Sequence, residues 1–172
     1  MCSRSSGIRA ETDSMADGTK RTKRSAGLLL YRRTPGGPEV LLGHMGGPFW
    51  ARKDAGAWSV PKGEYEPDEA PWDAARREFQ EELGVPAPDG TPLPLGETVQ
   101  SNGKHVTVWA MEAGFDPADM VPGTFTMEWP RGSGRIAEFP ELDRVAWFGL
   151  DAARAAVVKA QTVFLDRLAG QV

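Results

Sequence analysis

The sequence predicts an α/β protein, with a mixed β-sheet and helices packed on both of its faces. Three observations carry this expectation. Short apolar runs, too brief for buried helices, alternate along the chain with longer amphipathic segments. An Asn-Gly pair between two extended runs marks a hairpin, so the sheet is not wholly parallel. A length of 172 residues, with 40% hydrophobic and 26% charged side chains, suits one domain with a buried core.

Residues 1–24 carry six basic and three acidic side chains and almost nothing apolar. Such a segment buries too little surface to offset its ordering entropy, so it reads as a disordered tail before a domain spanning 25–172. Its basic cluster, Lys20, Arg21, Lys23 and Arg24, reads as solvated, with an interaction patch as the alternative. Ala26-Gly27-Leu28-Leu29-Leu30-Tyr31 is nearly continuous in apolar character, as in a strand buried on both faces. Turn residues over 33–38 separate it from a second strand at 40–44. His44 on that strand reads as a core or edge residue. A loop over 45–57 carries Phe49 and Trp50, and Trp58-Ser59-Val60-Pro61 is a brief extended piece.

Asp68 or a neighbour is expected to cap a helix that runs to Leu83, with Gly84 as its stop. Within it Trp72, Ala75, Phe79 and Leu83 recur at spacings of three and four and form one apolar stripe. Extended runs at 97–100 and 105–111 flank the turn Ser101-Asn102-Gly103-Lys104, where Lys104 and His105 are expected to be exposed. Residues 113–142 lack a clear period and read as a long loop with one short strand near 125–129. A strand at 144–148 and helices at 151–159 and 162–168 complete the chain.

Composition narrows the function classes. A net charge of -4 does not favour a nucleic-acid duplex, because phosphate-backbone binding needs a basic surface. The single cysteine, Cys2, excludes an internal disulfide and fits a reducing cytoplasm. No apolar run approaches the ~20 residues that span a bilayer, and no apolar signal segment opens the chain. A cytoplasmic protein without a membrane partner is expected.

The chemistry concentrates in residues 63–85, GEYEPDEAPWDAARREFQEELGV. This stretch holds eight of the chain's 24 acidic side chains: Glu64, Glu66, Asp68, Glu69, Asp73, Glu78, Glu81 and Glu82. At roughly 100° per residue, Glu78, Glu81 and Glu82 span an arc of about 100° on one helix. Carboxylates at such close quarters raise one another's pKa unless a counter-charge is present. A hard divalent cation answers that need, since a few carboxylates hold it while water and phosphate fill its other positions.

As a pattern the stretch is Gly63, five residues, Glu69, seven residues, then Arg77-Glu78-Phe79-Gln80-Glu81-Glu82-Leu83-Gly84-Val85. It resembles the Nudix box of the Nudix hydrolases at every specified position, and the resemblance extends from Ser25 to about Leu168. Outside the box, Trp58-Ser59-Val60-Pro61-Lys62-Gly63 and Glu138-Phe139-Pro140-Glu141-Leu142-Asp143 resemble small bacterial members described as nucleoside-triphosphate pyrophosphohydrolases. The resemblance implies an α/β/α sandwich with the box as a loop-helix-loop, and hydrolysis of a diphosphate bridge in a nucleoside polyphosphate with Mg²⁺ or Mn²⁺. It implies that Glu78, Glu81 and Glu82 bind metal, one of them being a possible base, with the backbone carbonyl of Lys62 or Gly63 completing the set. Gly63, Glu69, Arg77 and Gly84 would be structural, Arg77 tying the loop to the helix.

Glu138 and Glu141 are candidates for an extra catalytic carboxylate from a later loop. Lys62 is a candidate for phosphate contact as a point charge. Phe49, Trp50 and Trp58 are candidates for stacking on a base, with core packing as the competing role. The entry Pro61-Lys62-Gly63 also resembles dinucleoside polyphosphate hydrolases of the Ap4A type. Two other classes remain: a nucleotide-sensing module without activity, which loss of box carboxylates would favour, and a decapping-type enzyme, which the acidic balance opposes.

Overall fold

The computed structural model describes residues 22–172. The expected tail therefore falls outside the described residues except for 22–24. Among the described residues nine strands and three α-helices run β1 (Arg24–Thr34), β2 (Gly37–Met45), β3 (Trp58–Ser59), β4 (Lys62–Glu64), α1 (Pro71–Leu83), β5 (Leu93–Val99), β6 (His105–Glu112), β7 (Thr124–Glu128), β8 (Ile136–Pro140), β9 (Leu142–Gly149), α2 (Leu150–Ala156) and α3 (Thr162–Ala169).

β1 is the centre of a seven-stranded sheet. It runs parallel to β6 from Arg24–His105 to Tyr31–Glu112. β6 in turn pairs antiparallel with β5, the hairpin expected from Asn102-Gly103. Along its other edge β1 pairs with β2 only from Tyr31 onward. Nearer its start the same edge pairs with β4, Ser25 opposite Glu64 and Gly27 opposite Lys62. β2 diverges correspondingly, pairing with β3 at Gly43 and His44. β1 and β2 are thus a fork, and residues 58–64 fill its opening. The Leu28 N–H donates to the Pro61 carbonyl at 3.2 Å and the Met45 N–H to the Ala57 carbonyl at 2.9 Å. The outer edge of β2 is covered by β9.

The apolar run in β1 explains the layering. Leu28 and Leu30 face α1 and pack with Phe79, Leu83, Leu41 and Val145. Leu29 and Tyr31 face the opposite way and pack with Ala153, Phe164, Leu165 and Leu168 of α2 and α3. Helices therefore cover both faces, giving the α/β/α sandwich. Fully burying a Phe or Leu side chain is worth about 1.5–3 kcal/mol. Phe79 is 1% exposed and packs α1 onto Leu28 and Leu30 of the sheet.

Several elements differ from the sequence expectation. α1 begins at Pro71, not near Asp68, and its N-cap residue Ala70 makes no side-chain cap. Proline at the first helical position needs no N–H there and has a helical φ already set, so it starts the helix without a capping oxygen. Residues 113–142 hold a second strand, β8, which pairs with β7 in a separate hairpin. Its alternation is masked by exposed Ile136 and by Pro140. Among the described residues no helix is long and apolar enough to cross a membrane.

Candidate active site

The site is built from the fork outward. β4 leaves the fork beneath α1, and Gly63 faces the helix. A Cβ there would collide with the Glu78 carboxylate, so glycine is what lets that carboxylate lie on the backbone. The Lys62 N–H donates to Glu82 Oε2 at 3.0 Å. At the far end of α1, Gly84 takes the left-handed conformation at φ 74° and its N–H closes on the Gln80 carbonyl. The Val121 N–H donates to the Leu83 carbonyl at 2.9 Å, which draws the β7–β8 segment across the helix end.

That segment also delivers Glu141. Its N–H donates to the Gly123 carbonyl at 2.8 Å and its carbonyl accepts from Gly46 at 3.0 Å, so the residue is pinned between two loops. A cleft of about 600 Å³ results, lined by Glu78, Glu81, Glu82 and Glu141. Lys62 and Lys104 line it too, with Trp50 and Phe125 as aromatic neighbours.

Arg77 organises the box. Its guanidinium donates to both oxygens of Glu69 at 2.8–3.1 Å. It also reaches Glu78 at 2.8 Å, both Glu81 oxygens at 3.1 Å and the Glu64 carbonyl at 3.4 Å. Loop and helix are tied through one planar fork of donors. Hydrogen bonding to Glu69 first, then to Glu81 and Glu78, holds Arg77 above its ordinary pKa against partial burial.

The carboxylates are under electrostatic load. Glu82 is 9% exposed, and burial pushes its pKa well above the ordinary value. Lys62 opposes that shift, while Glu78 and Glu141 add to it. Burial likewise raises Glu78 against the pull of Arg77, with Glu81 and Glu141 contributing repulsion. Burial lowers the Lys62 ammonium, and nearby Lys104 lowers it further. Four neighbouring carboxylates, Glu78, Glu81, Glu82 and Glu141, with the buried Lys62 ammonium beside them, form a hard-oxygen donor set short of positive charge. The residues therefore fit a divalent cation by chemistry. Among the described residues no three His, Cys, Asp or Glu groups already converge as a ready-made metal cage. Arg77 draws Glu78 and Glu81 toward itself, so an arriving ion competes with Arg77 for them.

Other sequence candidates are placed elsewhere. Trp58 is 4% exposed and absent from the cleft lining. It packs edge-on against His44 and Phe148, and its indole N–H donates to Asp54 at 2.8 Å. Packing, not base stacking, occupies this ring. Phe49 lies edge-on to Trp129 at 5.6 Å, also outside the cleft lining. Glu138 is exposed on β8, opposite Thr126, and does not reach the cleft. His44 is fully buried, with Nδ1 3.0 Å from Asp143 and Nε2 2.6 Å from the Lys53 carbonyl.

Lys104 corrects the sequence expectation. Its side chain is 20% exposed and its Nζ lies 2.8 Å from Glu64 in the cleft, not in open solvent. Ser25 and Phe125 are further cleft residues that the sequence did not single out. Their only prior signal is position in a strand, which says nothing of which loop will face it.

Comparison with known proteins agrees with this architecture. No curated protein matches the chain. The structure is similar to a C. elegans Ap4A hydrolase in a binary complex, with TM-score 0.59, 21% identity, and coverage of 87% of this chain and 96% of that one. It is also similar to the NUDIX domain of Shewanella oneidensis NrtR complexed with ADP ribose, with TM-score 0.58, 14% identity, and coverage of 88% and 89%. A third similar structure is the M. smegmatis Nudix hydrolase RenU, with TM-score 0.53, 24% identity, and coverage of 85% and 83%. These likenesses concern the fold. The family model described as NUDIX domain matches residues 21–168, nearly the whole described chain, and the protein belongs to the Nudix hydrolase family.

Proposed function

We propose that the protein hydrolyses a phosphoanhydride in a nucleoside polyphosphate, using Mg²⁺ or Mn²⁺ held by Glu78, Glu81 and Glu82 with a backbone carbonyl of Lys62 or Gly63. The observation that carries this reading is the convergence of Glu78, Glu81, Glu82 and Glu141 on one cleft that Lys62 and Lys104 also line. Such a cleft offers carboxylates to a cation and ammonium groups to a polyanion. The Ap4A and ADP ribose named for the similar structures are both nucleotides with phosphoanhydride bridges, and they keep the proposal within that class.

When bound, the divalent ion supplies charge neutralisation and Lewis acidity at the phosphate. The chain's own residues do the positioning. Glu82 is held by the Lys62 N–H, and Gly63 leaves room for the Glu78 carboxylate against the backbone. Lys62 presents a partly desolvated ammonium to phosphate oxygens. Trp50 and Phe125 offer faces on which a base stacks. Glu141, held at both its N–H and its carbonyl, orients the attacking water and accepts its proton.

This division of roles separates two glutamates only three residues apart. Glu141→Gln is expected to lower kcat at least about a hundredfold, and Glu138→Gln to leave it within about twofold. Steady-state turnover of ATP and dinucleoside tetraphosphate with Mg²⁺ reads both. Equal losses in the two variants contradict the assignment. Dinucleoside polyphosphates are the alternative substrate within the class. A silent nucleotide-sensing module is the alternative of another kind, to which tight binding without cleavage belongs.

A further inference from the structure

A buried hydroxyl without a hydrogen-bond partner keeps a desolvation penalty that a ligand relieves. Ser25 is 1% exposed, and its Oγ is the one buried side-chain nitrogen or oxygen without a partner among the described residues. This atom belongs to a residue that lines the active-site cleft. Register places Ser25 between Glu64 on β4 and Val106 on β6. Lys104, two residues before Val106, swings its ammonium to 2.8 Å from Glu64. Its backbone is fixed in the hairpin turn: the N–H donates to Asn102 Oδ1 at 3.0 Å and the carbonyl accepts from Gln100 at 2.9 Å. Lys62, paired with Gly27, completes the group.

Hydroxyl and ammonium groups therefore gather where β1, β4 and the β5–β6 turn meet, next to the α1 carboxylates, since the Lys62 N–H also holds Glu82. The partner of Lys104 is itself an anion. Glu64 is half-exposed, and a pair of that kind is worth little, so its carboxylate is readily exchanged for a phosphate oxygen.

We propose that Ser25, Lys62 and Lys104 form an anion subsite that holds a further phosphate of the substrate, beyond the diphosphate at the carboxylates. The cleft then selects chains of three or more phosphates over a bare diphosphate bridge. This rests on the phosphoanhydride-hydrolase reading above and adds the substrate's chain length to it.

Calorimetric binding of inorganic tripolyphosphate and of pyrophosphate, in excess Mg²⁺, tests the subsite on the full chain. Lys104→Ala is expected to weaken tripolyphosphate binding roughly tenfold or more, and Ser25→Ala about threefold, with pyrophosphate affected several-fold less. Lys104→Arg should restore most of the affinity. Ser25→Ala should also leave Tm unchanged or raised, because it deletes an unpaired buried hydroxyl, a combination that a structural serine does not give. Unchanged affinity in both alanine variants, equal weakening for both anions, or a fall of several degrees in Tm for Ser25→Ala would overturn the proposal. Wild-type protein that binds tripolyphosphate in this Lys104-dependent way but cleaves no nucleotide supports the subsite and counts against the hydrolase reading.

Discussion

Glu82→Gln is expected to reduce turnover of a nucleoside polyphosphate by roughly three orders of magnitude, about 4 kcal/mol in the barrier, while leaving the fold at least as stable. The amide has the volume of the carboxylate and keeps an oxygen to accept the Lys62 N–H. What it loses is charge, in a buried position where charge is both most costly to the free protein and most effective toward a cation. The pH dependence follows from the direction of the shift. Glu82 ionises in the folded chain above its ordinary value of 4.5, so the folded state holds a proton that the unfolded state has released. Its contribution to stability is full below about 4.5 and is lost as pH rises through the raised value. Without divalent ions, wild-type Tm should therefore fall as pH climbs from about 4.5, and the Glu82→Gln variant should show a shallower fall. Some slope remains, because Glu78 is shifted in the same direction. A variant with wild-type turnover, or with an unchanged pH profile of Tm, contradicts the role given to Glu82.

Arg77→Ala is the second large effect, with an expected loss of about a hundredfold in kcat/KM and a Tm lowered by about 2–4 °C. One guanidinium bridges Glu69, Glu78 and Glu81 and reaches the Glu64 carbonyl. These pairs are partly exposed, so their combined stability is discounted to about 1 kcal/mol. The larger consequence is positional. Without Arg77 three carboxylates lose their common donor, and β4 loses one of its ties to α1, keeping the one from the Lys62 N–H to Glu82. Arg77→Lys should recover little, since an ammonium cannot engage Glu69 with two parallel donors while also reaching Glu78 and Glu81. Steady-state kinetics with thermal melts of the three proteins measure both parts. A lysine variant with full activity contradicts the bridging role.

Much of the fold was legible because its decisive residues are contiguous. The apolar run of β1 announces burial on both faces, and the box lies on a single loop and helix where spacing translates directly into geometry. The β5–β6 hairpin followed from Asn102-Gly103 in the same way. What stayed hidden depends on contacts between distant segments. Ser25 and Lys104 enter the cleft only because β1 pairs with β4 on one edge and with β6 on the other. Glu141 faces the carboxylates because Gly123 and Gly46 hold its backbone, whereas Glu138 lies on the short exposed strand that precedes it. Trp58 looked available as an aromatic beside the box, yet the packing of His44 and Phe148 around it and the acceptor at Asp54 are invisible in its neighbours along the chain. β8 carries no strand signal in the sequence because a half-exposed two-stranded hairpin has no buried face to impose a period of two.

The most direct test of the central claim is hydrolysis of a panel of nucleoside and dinucleoside polyphosphates and ADP ribose in ¹⁸O-labelled water with Mg²⁺ or Mn²⁺, identifying both products of wild-type protein and of Glu82→Gln. The expected result is cleavage at a phosphoanhydride with one ¹⁸O on a product phosphorus, lost in the variant. Saturable nucleotide binding without cleavage under either metal, or equal cleavage by both proteins, would contradict it.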